Sequence, residues 1–160
     1  MRCRRRGRRA PAACPRRGCH FAYGVGEHSD TQYGERFGEG TLAGRRALLS
    51  VTAGGPESHY AARGINGPIE DLLFPIHHGV LYYPGIEVLP PFVLYGTDRL
   101  TAEDYQDVAK AWRERRLSLE STEPIAFRQQ NFGDYEIPSL HLREGLEPAG
   151  RTGFGLHVRG

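Results

Sequence analysis

Arg46-Ala-Leu-Leu-Ser-Val-Thr-Ala-Gly-Gly-Pro56 is the stretch whose reading decides the fold. Its apolar core, Ala47-Leu48-Leu49-Ser50-Val51, does not alternate, which is the pattern of a parallel strand buried on both faces. The run stops at Gly54-Gly55-Pro56. Asn66-Gly67-Pro68 then offers a helix start with proline near the first helical position. Ile69, Leu72, Leu73 and Ile76 follow at helical spacing and predict one apolar face. Pro75 is expected to end regular helix before Gly79.

A second strand is predicted from Ile86 to Tyr95. Pro90-Pro91 cannot donate to a ladder, so this strand belongs at a sheet edge. Thr101 followed by Asp104 has the form of a capping box. Tyr105, Val108, Ala109, Trp112 and Leu119 mark the expected buried face of the long helix that follows. Beyond Ser121 the chain is rich in proline and glycine and is expected to wrap the surface. Strand, helix, strand, helix is a βαβα unit of an α/β protein. Two strands are too little sheet for an independent domain.

The chain has 160 residues with a formal charge of +2, and that mean hides two unlike parts. Residues 1–19 hold eight arginines and no acid. Without them, 13 basic residues face 19 acidic ones, a charge of −6. All three cysteines, Cys3, Cys14 and Cys19, lie in the same arm. The body therefore has no disulfide framework, and a reducing cytoplasmic setting is the simplest reading. No apolar run approaches the roughly 18 residues of a membrane span. The arm cannot bury enough apolar surface to order itself, so disorder is expected there. The Cys14, Cys19 and His20 spacing fits no zinc pattern, and no metal site is expected. A solvated arm is a simpler reading than a nucleic-acid contact. His59 reads as a surface residue, and His77-His78 as structural rather than catalytic. Trp112 on an apolar helix face reads as packing.

Open α/β sheets bind ligands at the carboxyl ends of their strands. Here that place is Thr52-Ala53-Gly54-Gly55, leading to Tyr60. Adjacent glycines let backbone N–H groups approach a flat ligand, and a tyrosine can donate to a developing negative charge. Leu48 to Pro56, Tyr60-Ala-Ala-Arg-Gly-Ile-Asn-Gly67, Leu72-Leu-Phe-Pro-Ile-His-His-Gly-Val-Leu-Tyr-Tyr-Pro-Gly85 and Val88-Leu-Pro-Pro91 come in that order. Together they resemble the NAD(P)H dehydrogenase (quinone) family, whose likeness runs from about Phe21 to Tyr135. Phe21-Ala-Tyr-Gly-Val-Gly-Glu-His28 also looks like a loop of its bacterial members.

The resemblance implies a flavodoxin-like three-layer parallel sheet, a homodimer, and FAD or FMN as cofactor. It implies ping-pong hydride transfer from NAD(P)H to a quinone-like acceptor. Carried over by motif, Thr52, Ala53, Gly54, Gly55 and Tyr60 hold the isoalloxazine edge, and Tyr23 closes the pocket from the neighbouring subunit. Tyr60 and Asn66 are the expected catalytic pair. Asn66 stands where mammalian members have histidine; it can hydrogen-bond but cannot relay a proton. Tyr105 stands where some members place an arginine near the nucleotide half of FAD, which makes FMN as good a fit.

Nothing in residues 1–20 matches the family's first half, which supplies the phosphate cradle. Their composition is what GC-rich codons yield in a wrong reading frame. The expected organisation is a disordered arm over 1–20, an incomplete flavodoxin-like C-terminal βαβα portion over 21–136, and a tail over 137–160. The expected function is a truncated flavin-dependent quinone oxidoreductase; the alternative is a non-catalytic fragment acting at most as a dimerisation module.

Overall fold

The apolar run at 46–52 forms the strand that its composition predicts. In the computed structural model, which describes residues 31–160, β1 spans Arg46–Thr52 and pairs in parallel with β2, Glu87–Leu94. The register runs from Arg46 opposite Glu87 to Thr52 opposite Leu94. It shifts between Leu48 and Ser50, because Leu48 pairs with Leu89 and Ser50 with Phe92. Leu49 thus stands opposite both Pro90 and Pro91. A bulge at this point absorbs two residues that have no N–H to give. Among the described residues the sheet has these two strands, so β2 is an edge as its prolines require.

Burial departs from the sequence pattern. No residue of β1 is buried, although its apolar run predicts a strand covered on both faces. The most buried side chains are Val88 and Leu89 of β2, each 1% exposed. A two-stranded sheet leaves the far edge of β1 without a neighbouring strand, so the covered positions move to β2.

Helix α1, Ile69–Ile76, starts behind Pro68 as predicted. Its apolar face divides: Ile69 and Leu73, one turn apart, are buried, while Leu72 and Ile76 are 48% and 43% exposed. Pro75 does not end the helix, which continues as a wider π-type segment over His77–Tyr82. The lost N–H of Pro75 would have served the carbonyl of Asp71, an exposed residue whose backbone water can reach. The continuation brings His77 and Tyr82 inward, where both are buried.

Helix α2, Ala102–Leu117, carries the predicted capping box. Asp104 N–H donates to Thr101 Oγ1 at 3.2 Å, and Thr101 N–H donates to Asp104 Oδ2 at 2.8 Å. The predicted buried face is not there. None of the helix is fully buried, Tyr105 is 63% and Leu117 79% exposed, and Leu119 lies beyond its end. Trp112 makes the anchoring contact, its ring 5.1 Å from that of Phe92. One strand pair is too narrow to cover a helix of four turns.

The segment after Ser121 enters the core instead of wrapping it. Ile125 N–H donates to Val88 O at 2.8 Å, and Phe127, 6% exposed, bridges Val158 in an antiparallel contact. Phe127, Tyr82 and Val88 form the buried cluster, with Phe37, Phe74, Ile125 and Val158 packed against it. Arg128, 4% exposed, ties the end of the chain to this core. Its guanidinium donates to Asp134 Oδ2 at 3.0 Å, to Leu146 O at 3.0 Å and to Leu156 O at 2.9 Å.

Candidate functional site

Past Thr52 the chain turns through Ala53, Gly54 and Gly55 into a 3-10 turn over Glu57–Tyr60. Three backbone bonds tie this loop to the one after β2. Ala53 N–H donates to Leu94 O at 2.8 Å, Thr97 N–H to Ala53 O at 3.1 Å, and Gly96 N–H to Gly55 O at 2.9 Å. The carboxyl ends of both parallel strands therefore form one surface, as the topology of such sheets requires. Gly96 adopts a left-handed φ of 68° that glycine tolerates at no steric cost.

Those bonds use the Ala53 donor and the Ala53 and Gly55 acceptors. Among the described residues the N–H groups of Gly54 and Gly55 donate to nothing. The Tyr60 hydroxyl likewise has no partner there, while its ring lies 5.5 Å from that of Tyr95. Two neighbouring backbone donors and a phenol at a strand end are a donor set for an acceptor-rich, flat ligand edge. A flavin ring fits that chemistry.

The glycines are not equivalent. A Cβ on Gly54 would meet Asp98 Oδ2 at 2.5 Å, so its missing side chain serves the approach of the second loop. A Cβ on Gly55 would meet His59 Nδ1 at 3.0 Å and Tyr60 Cε2 at 3.5 Å. Only Gly55 opens space on the side of Tyr60. Thr52 is exposed at the strand end and Ala53 is buried beneath the turn. Asn66 is exposed, and its backbone N–H donates to His59 O at 3.0 Å, which holds it to the turn that carries Tyr60. Tyr23 lies outside the described residues.

Tyr95 and Asp98 join this surface without having been singled out in the sequence. Both follow β2, whose carboxyl end is as eligible as that of β1. Burial, then Glu57 and Glu70, push the Tyr95 hydroxyl above its ordinary pKa, so it stays protonated.

His77-His78 reads as structural, and the packing agrees. The His78 ring stacks between Phe37 and Phe74, at 4.7 Å from each. It lines a cavity of about 160 Å³ with Tyr135 and His157, whose Oη and Nδ1 are 2.8 Å apart. None of the predicted site residues lines that cavity. Burial, and then the nearby His157, lower the His78 pKa from 6.5 to about 4. A depressed histidine pKa means that the unfolded chain binds the proton first. Stability is therefore full above about pH 6.5 and falls between 6.5 and 4. The loss from His78 is on the order of 3 kcal/mol, at about 1.4 kcal/mol per pKa unit. Denaturant titrations at the two ends of that range should show it, and His78→Phe should remove the share of His78, leaving that of His77 and His157, whose pKa values burial also lowers. An equal pH dependence in that variant would place the titration elsewhere.

The profile of the flavodoxin-like fold matches residues 18–116. The chain belongs to the flavodoxin-like family. Within it, the chain is similar to a ribosyldihydronicotinamide dehydrogenase-like protein, traD, of Penicillium crustosum. That likeness is 53% identity over 139 residues, covering 87% of this chain and 51% of that protein. NAD(P)H dehydrogenase [quinone] 1 of Cavia porcellus is 29% identical over 128 residues, covering 79% and 46%. A Klebsiella pneumoniae crystal structure assigned as a quinone reductase superposes with a TM-score of 0.82 at 59% identity, covering 86% and 53%. These flavodoxin-like relatives are named as oxidoreductases, and the chain spans about half their length. No helix among the described residues is long and apolar enough to cross a membrane.

Proposed function

We propose that the loop after β1 holds the isoalloxazine edge of a flavin, FAD or FMN, in an NAD(P)H:quinone oxidoreductase. The free N–H groups of Gly54 and Gly55 beside Tyr60 carry this reading. When bound, the flavin supplies a centre that takes up and returns hydride. The chain supplies hydrogen bonds to the edge where negative charge collects on reduction. Asp98 sets a carboxylate against Gly54, which opposes an anion at that point. Gly55 N–H and the Tyr60 hydroxyl are therefore the pair that favours the reduced state. Asn66 can orient a bound group through its amide but cannot carry a proton.

NAD(P)H and a quinone-like acceptor use one face of the site in turn, which is a ping-pong scheme. The functional unit is a homodimer. Tyr105, 63% exposed, offers no cation to an adenosine diphosphate group, so FMN serves as well as FAD. The absence of cysteine from the body fits a cytoplasmic protein. A second reading, a non-catalytic dimerisation module, draws on the exposed ridge of Leu72, Ile76 and Val80.

NADPH oxidation by the purified chain with flavin and menadione separates the two. Turnover supports the oxidoreductase, and a colourless inert dimer supports the module. Tyr60→Phe removes one hydrogen bond worth about 1.5–3 kcal/mol to the charged state. Flavin reduction by NADPH in stopped flow should then slow roughly 10- to 100-fold. Unchanged reduction kinetics would take Tyr60 out of the mechanism.

A further inference from the structure

A second cavity, of about 210 Å³, opens between α1, the middle of β2 and the 3-10 turn over Gly153–His157. Phe74, Phe127, Phe154, Pro90 and Pro91 stand in its wall. The Phe74 and Phe154 rings are stacked at 4.3 Å and 8°. Its volume compares with the roughly 150 Å³ of an apolar cavity that takes up one benzene molecule. A single substituted ring fits.

The charged residues of the lining are Glu70 and Asp71, both exposed in the first turn of α1. Neither makes an ion pair among the described residues. Acids in a first turn also favour the helix dipole, but that does not explain the apolar well beside them. His77 lines the same cavity, is 3% exposed, and has an Nε2 without a hydrogen-bond partner. Burial lowers its pKa, so it adds no positive charge near neutral pH.

We propose that this cavity is a binding site for a small monocyclic aromatic cation of the arylalkylammonium class. The ring enters among the phenylalanines and prolines, and the ammonium faces Glu70 and Asp71. The two carboxylates and the adjacent ring faces both attract such a cation. An anion of the same shape is repelled.

The test uses the full chain and three probes of one shape and different charge: benzylamine, benzyl alcohol and benzoate, with affinities read by ligand-observed NMR. Benzylamine should bind most tightly, about fivefold better than benzyl alcohol, with benzoate weakest. The preference should shrink in high salt. It should disappear in Glu70→Gln/Asp71→Asn, where benzyl alcohol still binds. Phe154→Ala should weaken benzylamine and benzyl alcohol alike, which a cation held only on the acidic surface would not show. Equal affinity for all three probes, no binding by any of them, or indifference to Phe154→Ala would overturn the proposal. Circular dichroism of each variant keeps a loss of folding from being taken for a loss of the site.

Discussion

Arg128→Met should cost about 3 kcal/mol of folding stability, near the lower end of what breaking a buried ion pair costs. The guanidinium is 4% exposed and satisfies three acceptors, of which two are the backbone oxygens of Leu146 and Leu156. Methionine fills the space but leaves those oxygens without donors. Asp134 is only partly orphaned, because Arg159 Nη2 stays 3.1 Å from the same Oδ2. Glu147, at 3.9 Å, is too far for a hydrogen bond to Arg128 and adds attraction alone. Against a domain stability of about 5–15 kcal/mol the loss is large. Urea unfolding measures it, and the midpoint should fall clearly. An unchanged midpoint would mean that the end of the chain does not contribute to the folded core.

The second large effect is on ligand and not on fold. Gly55→Val should abolish flavin binding while far-UV circular dichroism stays as in the parent chain. Gly55 does not have the positive φ that would strain a side chain, so valine is compatible with the backbone. Its Cβ would sit 3.0 Å from Nδ1 of the exposed His59, which can give way, and 3.5 Å from Tyr60 Cε2, so the branching methyls would take up the space beside Tyr60. Gly54→Ala provides the contrast. Its Cβ meets the short, exposed side chain of Asp98, which must turn away, and the loop contacts change with it. A Gly55→Val protein that keeps its full flavin content would remove this loop from the site.

Local chemistry made half of the molecule legible in advance. The double proline announced an edge strand and sits in a bulge, the Thr101–Asp104 box caps its helix, and Pro68 opens α1. Each of these signals acts over a few residues. What sequence reading missed depends on long separations. Phe127 reaches the core by meeting Val158, and Arg128 holds carbonyls near the end of the chain, with no periodicity to announce either. The buried faces assigned to β1 and α2 were read from patterns that presuppose a wider sheet. In the candidate site, Gly54, Gly55 and Tyr60 stand together as their order predicts. Asp98 and Tyr95 were hidden because they follow the other strand. The pairing that brings them in lies in the register, not in any motif.

The most direct test of the central claim is an equilibrium titration of the purified chain with FMN and with FAD, followed by flavin fluorescence. Saturable binding of at least one flavin at one per chain, lost in Gly55→Val, is the predicted result. A parent chain that binds neither flavin, or a Gly55→Val chain that binds as well as the parent, would contradict it.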